Sequence, residues 1–249
     1  MCGFVVIIQP NRLISKNLIS AIDRDLFHRG PDSGGVYSKK GFSLIFRRLA
    51  ILDLRPIADQ PMIDYENGLS LVFNGEIYNY KELRLFLKKK GYFFRTNSDT
   101  EIILNGYKHW GEDVAKKLRG MFSFVIVDEK KKIAIASRDH FGIKPLYFFR
   151  NKKFIYLGSE IQPLKNLTEL EIDRDNIGEI IFFRFSSGLK TGYKDVEKVE
   201  QGSTYLIKIE DLSLKKKKYF DLLDTIKPKK QVVSVSEKVH ALLEDSAIR

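Results

Sequence analysis

The sequence predicts an α+β domain of stacked sheets with helices on the outside. Three observations lead there. The element order is strand, helix, several strands, two helices, several strands, which is not the alternation of a parallel sheet. The apolar spacing switches from helical to strand-like beyond residue 120, with charged turns between short runs. Finally, 249 residues at 43% hydrophobic content can bury a full core.

The first strand is the apolar run at residues 4–8. Ile14, Leu18, Ile22 and Leu26 then recur every four residues, with Ile19 alongside, and form one buried helix face. The helix stops before His28-Arg29-Gly30-Pro31-Asp32, because Gly30 and Pro31 cannot continue it. Residues 42–46 and 48–54 read as strands, and 70–73 as a strand running into Asn74-Gly75, a pair that favours a tight turn. A second helix spans 81–90 and ends at Gly91. A third follows the capping box Ser98-Asp99-Thr100-Glu101, with Ile103, Tyr107 and Trp110 on one face. Residues 121–127 with 133–137, and 146–149 with 154–157, read as two antiparallel hairpins. A short helix at 175–183 and strand pieces at 203–209 and 218–220 complete the domain. Beyond 221 comes a lysine-containing linker. A second capping box at Ser234 then opens a terminal helix with Val235, Val239, Leu242 and Leu243 on one face.

Composition excludes several classes. The longest apolar runs fall far short of the ~20 residues of a membrane span, and no basic leader precedes them, so a soluble, cytoplasmic protein with no membrane partner is expected. One cysteine rules out an internal disulfide, and four dispersed histidines lack metal-ligand spacing, so no metal is expected. The net charge of +11 raises the question of nucleic acid. Its lysines, however, come in short runs assigned to helix ends, hairpin tips and the late linker, without the interleaved aromatics of a stacking platform, so no nucleic-acid partner is expected.

The single cysteine is Cys2. If Met1 is removed, one residue carries both a thiol (ordinary pKa ~8.5) and an α-amino group (~7.7 to 8.0), a nucleophile with its own base. Without further context a lone Cys2 is more often an idle terminal residue.

The context comes from stretches in a fixed order: Met1-Cys2-Gly3, His28-Arg29-Gly30-Pro31-Asp32, Arg48-Leu49-Ala50-Ile51, Gln60-Pro61-Met62, Asn74-Gly75-Glu76-Ile77-Tyr78-Asn79, Ser98-Asp99-Thr100-Glu101 and the ten residues from Arg138 to Tyr147. In this order they resemble the class II glutamine amidotransferases, and the longest of them resembles the glutaminase half of an asparagine synthetase. The resemblance implies the N-terminal-nucleophile αββα sandwich, two stacked, mainly antiparallel sheets with helices outside, over residues 1–220. It also implies hydrolysis of the L-glutamine side-chain amide through a thioester on Cys2, without a cofactor in this chain.

By the same resemblance, the Asn74 side-chain amide and the Gly75 backbone N–H hold the oxyanion, although by themselves these two residues could be only a hairpin turn. Arg48 grips the substrate α-carboxylate with its planar fork. Asp99 binds the α-ammonium, its bland alternative being a first-turn residue facing the helix dipole. Glu76 and the backbone of Ile51 also contact glutamine, and His28 orders its loop. Two departures stand out: Phe46 where many relatives carry histidine, and Gln162 where lysine is common.

The implied partner is a C-terminal synthetase domain, in cis or on a separate chain, that takes ATP and Mg2+. Residues 221–249 read as a linker and the first helix of that domain, whose pyrophosphate loop is not in these residues. The ammonia acceptor is expected to be aspartate. A sugar uronate is the alternative acceptor, and a catalytically silent glutamine-binding module the alternative class. A homodimer stays open.

Overall fold

A computed structural model of the chain describes residues 1–225 and 235–248. Its strands form two antiparallel six-stranded sheets. The first sheet contains β1 (Gly3–Gln9), β2 (Ser33–Lys39), β3 (Gly41–Arg48), β8 (Tyr147–Arg150), β9 (Ile155–Gly158) and β10 (Val196–Lys198), in the order β10-β8-β9-β1-β3-β2. The second contains β4 (Met62–Asp64), β5 (Leu69–Ile77), β6 (Gly120–Asp128), β7 (Ile133–Arg138), β11 (Ser203–Lys208) and β12 (Leu214–Lys218), in the order β12-β11-β7-β6-β5-β4.

Side-chain alternation builds the layers. From β1, Phe4, Val6 and Ile8 point between the sheets, where they meet Val72, Val125 and Val127 of the second sheet. Val5 and Ile7 point the other way, onto Ile22 and Leu26 of helix α1 (Lys16–Leu26). Both faces of β1 are covered, which is why it reads as an unbroken apolar run. On the second sheet, Phe73, Phe122, Phe124 and Ile126 pack outward against Ile102, Ile103 and Tyr107 of α3 (Thr100–Trp110), with α2 (Tyr80–Lys89) beside it. The result is helix, sheet, sheet, helix, the αββα order expected. Helices α4 (Arg174–Phe183), α5 (Leu222–Thr225) and α6 (Val235–Ile248) complete the described elements. Among the described residues no helix is long and apolar enough to cross a membrane.

The expected helices are present. Ile14 precedes α1 instead of lying in it, because Ser15 caps the helix by accepting from the Leu18 N–H. Both expected hairpins form, β6 with β7 and β8 with β9, one in each sheet. Other expectations fail for identifiable reasons. Residues 49–54 form a loop and not a strand, and the Leu52 and Asp53 carbonyls turn to the Arg48 guanidinium. Edge strand β2 escapes detection because Gly34 and Gly35 erase its alternation. The last strand falls at Leu214–Lys218 and not at 218–220, so the run Lys215-Lys216-Lys217-Lys218 lies on a sheet edge. Lysines on an edge strand discourage pairing with another chain. The capping residue proposed at Ser234 lies outside the described residues.

Asn74-Gly75 is not a turn. Both residues lie inside β5 and pair with β6, Asn74 opposite Ser123 and Gly75 opposite Phe122. Gly75 has φ +154°, and a Cβ there would meet the Met121 carbonyl at 2.1 Å. The glycine serves a close strand-to-strand approach and not a hairpin.

Candidate active site

The same alternation aims functional side chains at one end of the inter-sheet space. In β3, Phe42, Leu44 and Phe46 face the core between the sheets, and Arg48 is next in that series. In β5, Val72 faces the same core and is followed at spacing two by Asn74 and Glu76. Cys2 stands at spacing two before Phe4 and packs against this core as well. Because Gly3 pairs with Arg47, Cys2 comes to the Arg48 end of β3. There the Leu49 N–H donates to Cys2 Sγ at 3.4 Å, and the thiol faces the Leu49 carbonyl at 3.5 Å.

These residues line one cleft. Cys2, Arg48 and Ile51 line it from one side, and Asn74, Gly75, Glu76 and Asp99 from the other. Every residue proposed from the sequence for nucleophile, oxyanion site or substrate contact is therefore on one wall or another of the same cavity. His28 is not. Its ring stands 62% exposed with Nε2 2.8 Å from Glu160, in keeping with an ordering role in its loop.

The electrostatics differ from group to group. Burial pushes the Cys2 thiol up, partly opposed by the Leu49 N–H, the positive chain terminus and Arg48. A thiol so placed needs a base. Asn74 is 2% exposed, and its Nδ2 has no hydrogen-bond partner among the described residues. A buried amide donor left unpaired costs about 1 to 3 kcal/mol, so its position is maintained against a penalty.

Asp99 is 4% exposed, and burial pushes its carboxyl up to about 6, with N–H donors opposing and Glu76 adding to the rise. Although it opens α3, its side chain does not cap that helix. Oδ2 instead accepts from the Ile77 N–H at 2.9 Å, tying it to the end of β5. The expected capping box is rearranged to allow this: Ser98 Oγ accepts from the Thr100 N–H, while Glu101 turns back to the Arg95 and Thr96 amides. Among the described residues Asp99 has no ion-pair partner.

Arg48 is less free than the sequence suggests. Its Nη1 donates to Asp59 Oδ1 at 2.6 Å, and its Nη2 to the carbonyls of Asp53 (2.6 Å) and Leu52 (3.2 Å). The guanidinium thus folds the loop after β3 back over the cleft, and an incoming carboxylate has to share it with Asp59.

Sequence reasoning missed two contributors. Gln60 lines the cleft and pairs with the Phe73 backbone like a strand residue, accepting from its N–H at 2.6 Å and donating to its carbonyl at 3.2 Å. Lys144 also lines it, and the signal was present in the run from Arg138 to Tyr147. That run closes on itself. Asp139, fully buried, accepts the N–H groups of Phe141, Ile143 and Lys144, each at 3.0 Å. Arg138 donates to the carbonyls of Gly142 (2.7 Å) and Lys144 (2.8 Å). The loop is a rigid arm with Lys144 at its end. Among the described residues no cluster of three His, Cys, Asp or Glu side chains is placed to hold a metal ion.

Residues 1–220 match the family model described as "Glutamine amidotransferase domain". Asparagine synthetase (glutamine-hydrolyzing) 1 of Bacillus subtilis (strain 168) is 39% identical over 213 residues, covering 84% of this chain and 34% of its own length. Putative asparagine synthetase (glutamine-hydrolyzing) 2 of Methanocaldococcus jannaschii is 31% identical over 263 residues, covering 96% of this chain and 50% of its own length. The chain therefore spans between about a third and a half of these relatives. Among solved structures, glutamine phosphoribosylpyrophosphate amidotransferase from B. subtilis matches with a TM-score of 0.63 at 20% identity, over 88% of this chain and 49% of that one. At that identity the likeness is one of fold.

Proposed function

This chain belongs to the glutamine amidotransferase domain family, and from that membership we propose that it hydrolyses the side-chain amide of L-glutamine with Cys2 as an N-terminal nucleophile. Removal of Met1 frees the Cys2 α-amino group. The amine takes the thiol proton while sulfur attacks the amide carbon, and the tetrahedral oxyanion forms against Asn74 Nδ2 and the Gly75 N–H. The amine returns its proton to the leaving nitrogen, ammonia departs, and a γ-glutamyl thioester remains. Water adds to that thioester, glutamate leaves and the thiol is restored. Asp99 holds the substrate ammonium, Arg48 its carboxylate, and Glu76 with the Ile51 backbone completes the grip. No cofactor takes part in these steps.

The observation that carries this reading is the buried, unpartnered Asn74 Nδ2 in the cleft that also holds the chain's only cysteine. An orphaned donor beside a nucleophile is what an oxyanion site looks like before the oxyanion forms. The direct test is glutamate release from glutamine by protein whose N-terminal mass shows Met1 removed; absence of release would overturn the reading. Asn74→Ala is expected to lower kcat about 100- to 1000-fold with little change in KM, because the lost donor acts on the transition state. An equal effect on KM alone would assign Asn74 to ground-state binding instead.

The ammonia is proposed to pass to an ATP- and Mg2+-dependent synthetase domain that converts aspartate to asparagine. The support for that acceptor is the naming of the relatives as asparagine synthetases. Asparagine formation by the full-length protein, with no product from uronate acceptors, is the measurement that decides it.

A further inference from the structure

Lys144 has no part in the chemistry described so far, yet it is 7% exposed and lines the cleft. Its Nζ donates to the Met1 sulfur at 3.4 Å, and among the described residues it has no carboxylate partner. The ammonium is therefore brought to the chain terminus by the closed arm of Arg138 and Asp139 and left there uncompensated.

We propose that Lys144 is a positioning residue whose ammonium stands beside the Cys2 α-amino group after Met1 is removed and favours its neutral, proton-accepting form. The inference rests on the reading of Cys2 as an N-terminal nucleophile. Its physical basis is that a nearby like charge disfavours protonation of an amine, and that a cleft wall of low dielectric strengthens the effect. An amine with a midpoint near 8 is mostly protonated at neutral pH, so lowering it enlarges the fraction able to take the thiol proton.

Other charges face the same terminus. Arg29, from the 3-10 turn Phe27–Arg29 after α1, donates from Nε to the Cys2 carbonyl at 3.0 Å, but its Nη1 is paired with Glu160 at 3.1 Å, and Glu160 also meets His28. Arg48 of β3 is paired with Asp59. Glu76 of β5 and Asp99 at the start of α3 are negative and act in the opposite direction. Asp139 is spent on backbone N–H groups. Of the cations at the cleft, Lys144 is thus the one whose charge is not already matched by a carboxylate among the described residues.

Because Cys2 is the only cysteine, 13C-labelled cysteine reports this pair alone. The Cα and Cβ shifts, followed by NMR from about pH 5 to about pH 10 in protein freed of Met1, give the coupled midpoints of amine and thiol. Lys144→Met is expected to raise the lower midpoint by about half a pH unit to one unit, and Lys144→Arg to leave it near the wild-type value. The acidic limb of kcat/KM for glutamate release moves with it. A Lys144→Met midpoint equal to wild type, in protein whose amide spectrum is otherwise unchanged, overturns the proposal. So does a shift that arginine fails to restore. The midpoints need no turnover, so this result is distinct from a failure of the glutaminase reading, which would show as absent glutamate release from the wild type in the same samples.

Discussion

Cys2→Ala protein freed of Met1 is expected to release glutamate at least about 10,000-fold more slowly than the wild type while remaining folded. The magnitude follows from the division of labour in the cleft. On the proposed mechanism, Asn74, Gly75 and Asp99 would still bind glutamine and polarise its amide without the thiol, but no covalent path would remain and water would have to attack unaided. The fold is expected to tolerate the change because the thiol's hydrogen bonds go to the Leu49 backbone, at 3.4 and 3.5 Å, and its packing is that of a half-buried side chain at the edge of the inter-sheet core. Glutamate release and thermal unfolding on the same preparation separate the two effects. Wild-type turnover by the alanine variant would remove Cys2 from the mechanism altogether.

Asp99→Asn is expected to make the unliganded protein more stable and the protein unable to hold glutamine. The buried carboxyl titrates at about 6 when folded, against ~3.9 unfolded, a difference worth about 3 kcal/mol. The sign is that of a raised acid. Below about pH 4 both states are protonated and the group contributes nothing; as pH rises to about 6 the unfolded chain ionises first, and above that the folded state bears the full cost. At neutral pH asparagine removes this cost while its amide oxygen can still accept from the Ile77 N–H. On the proposed function, the ammonium of a bound glutamine would offset this cost in the wild type. The variant loses that partner, and glutamine binding is expected to weaken by roughly 100-fold or more. Thermal unfolding across pH, with and without glutamine, checks both halves. Convergence of the two proteins near pH 4 and a higher Tm for the variant at neutral pH are expected. A destabilised variant that still gains stability from glutamine would show that Asp99 is structural.

Much of this was legible from local patterns. The unbroken apolar run of β1 and the four-residue spacing in α1 mark a strand and helix that pack together, because burial is written in side-chain periodicity. The strands that were missed, β2, β4 and β10, or misplaced, β12, lie at sheet edges, where one side of the backbone has no partner and the side chains follow no apolar alternation. Residues 49–54 misled for the opposite reason. They are apolar enough for a strand, but the carbonyls of Leu52 and Asp53 are claimed by the Arg48 guanidinium.

The site shows the same division. Cys2, Arg48, Asn74, Glu76 and Asp99 could be named from residue type, order and resemblance, since each chemistry needs a particular side chain wherever it sits. Their convergence on one cleft depends on pairing register: Gly3 opposite Arg47 and Asn74 opposite Ser123 are contacts between distant segments, and a slip of one residue would turn Arg48, Asn74 and Glu76 to the other face. Periodicity and motif order were thus enough for the layered fold and the family, and for singling out Cys2 as the nucleophile proposed here. The unpaired state of Asn74 Nδ2, the rise of Asp99, the sharing of Arg48 with Asp59 and the arrival of Lys144 at the chain terminus were decided by tertiary structure, because desolvation and partner geometry exist only once distant strands meet.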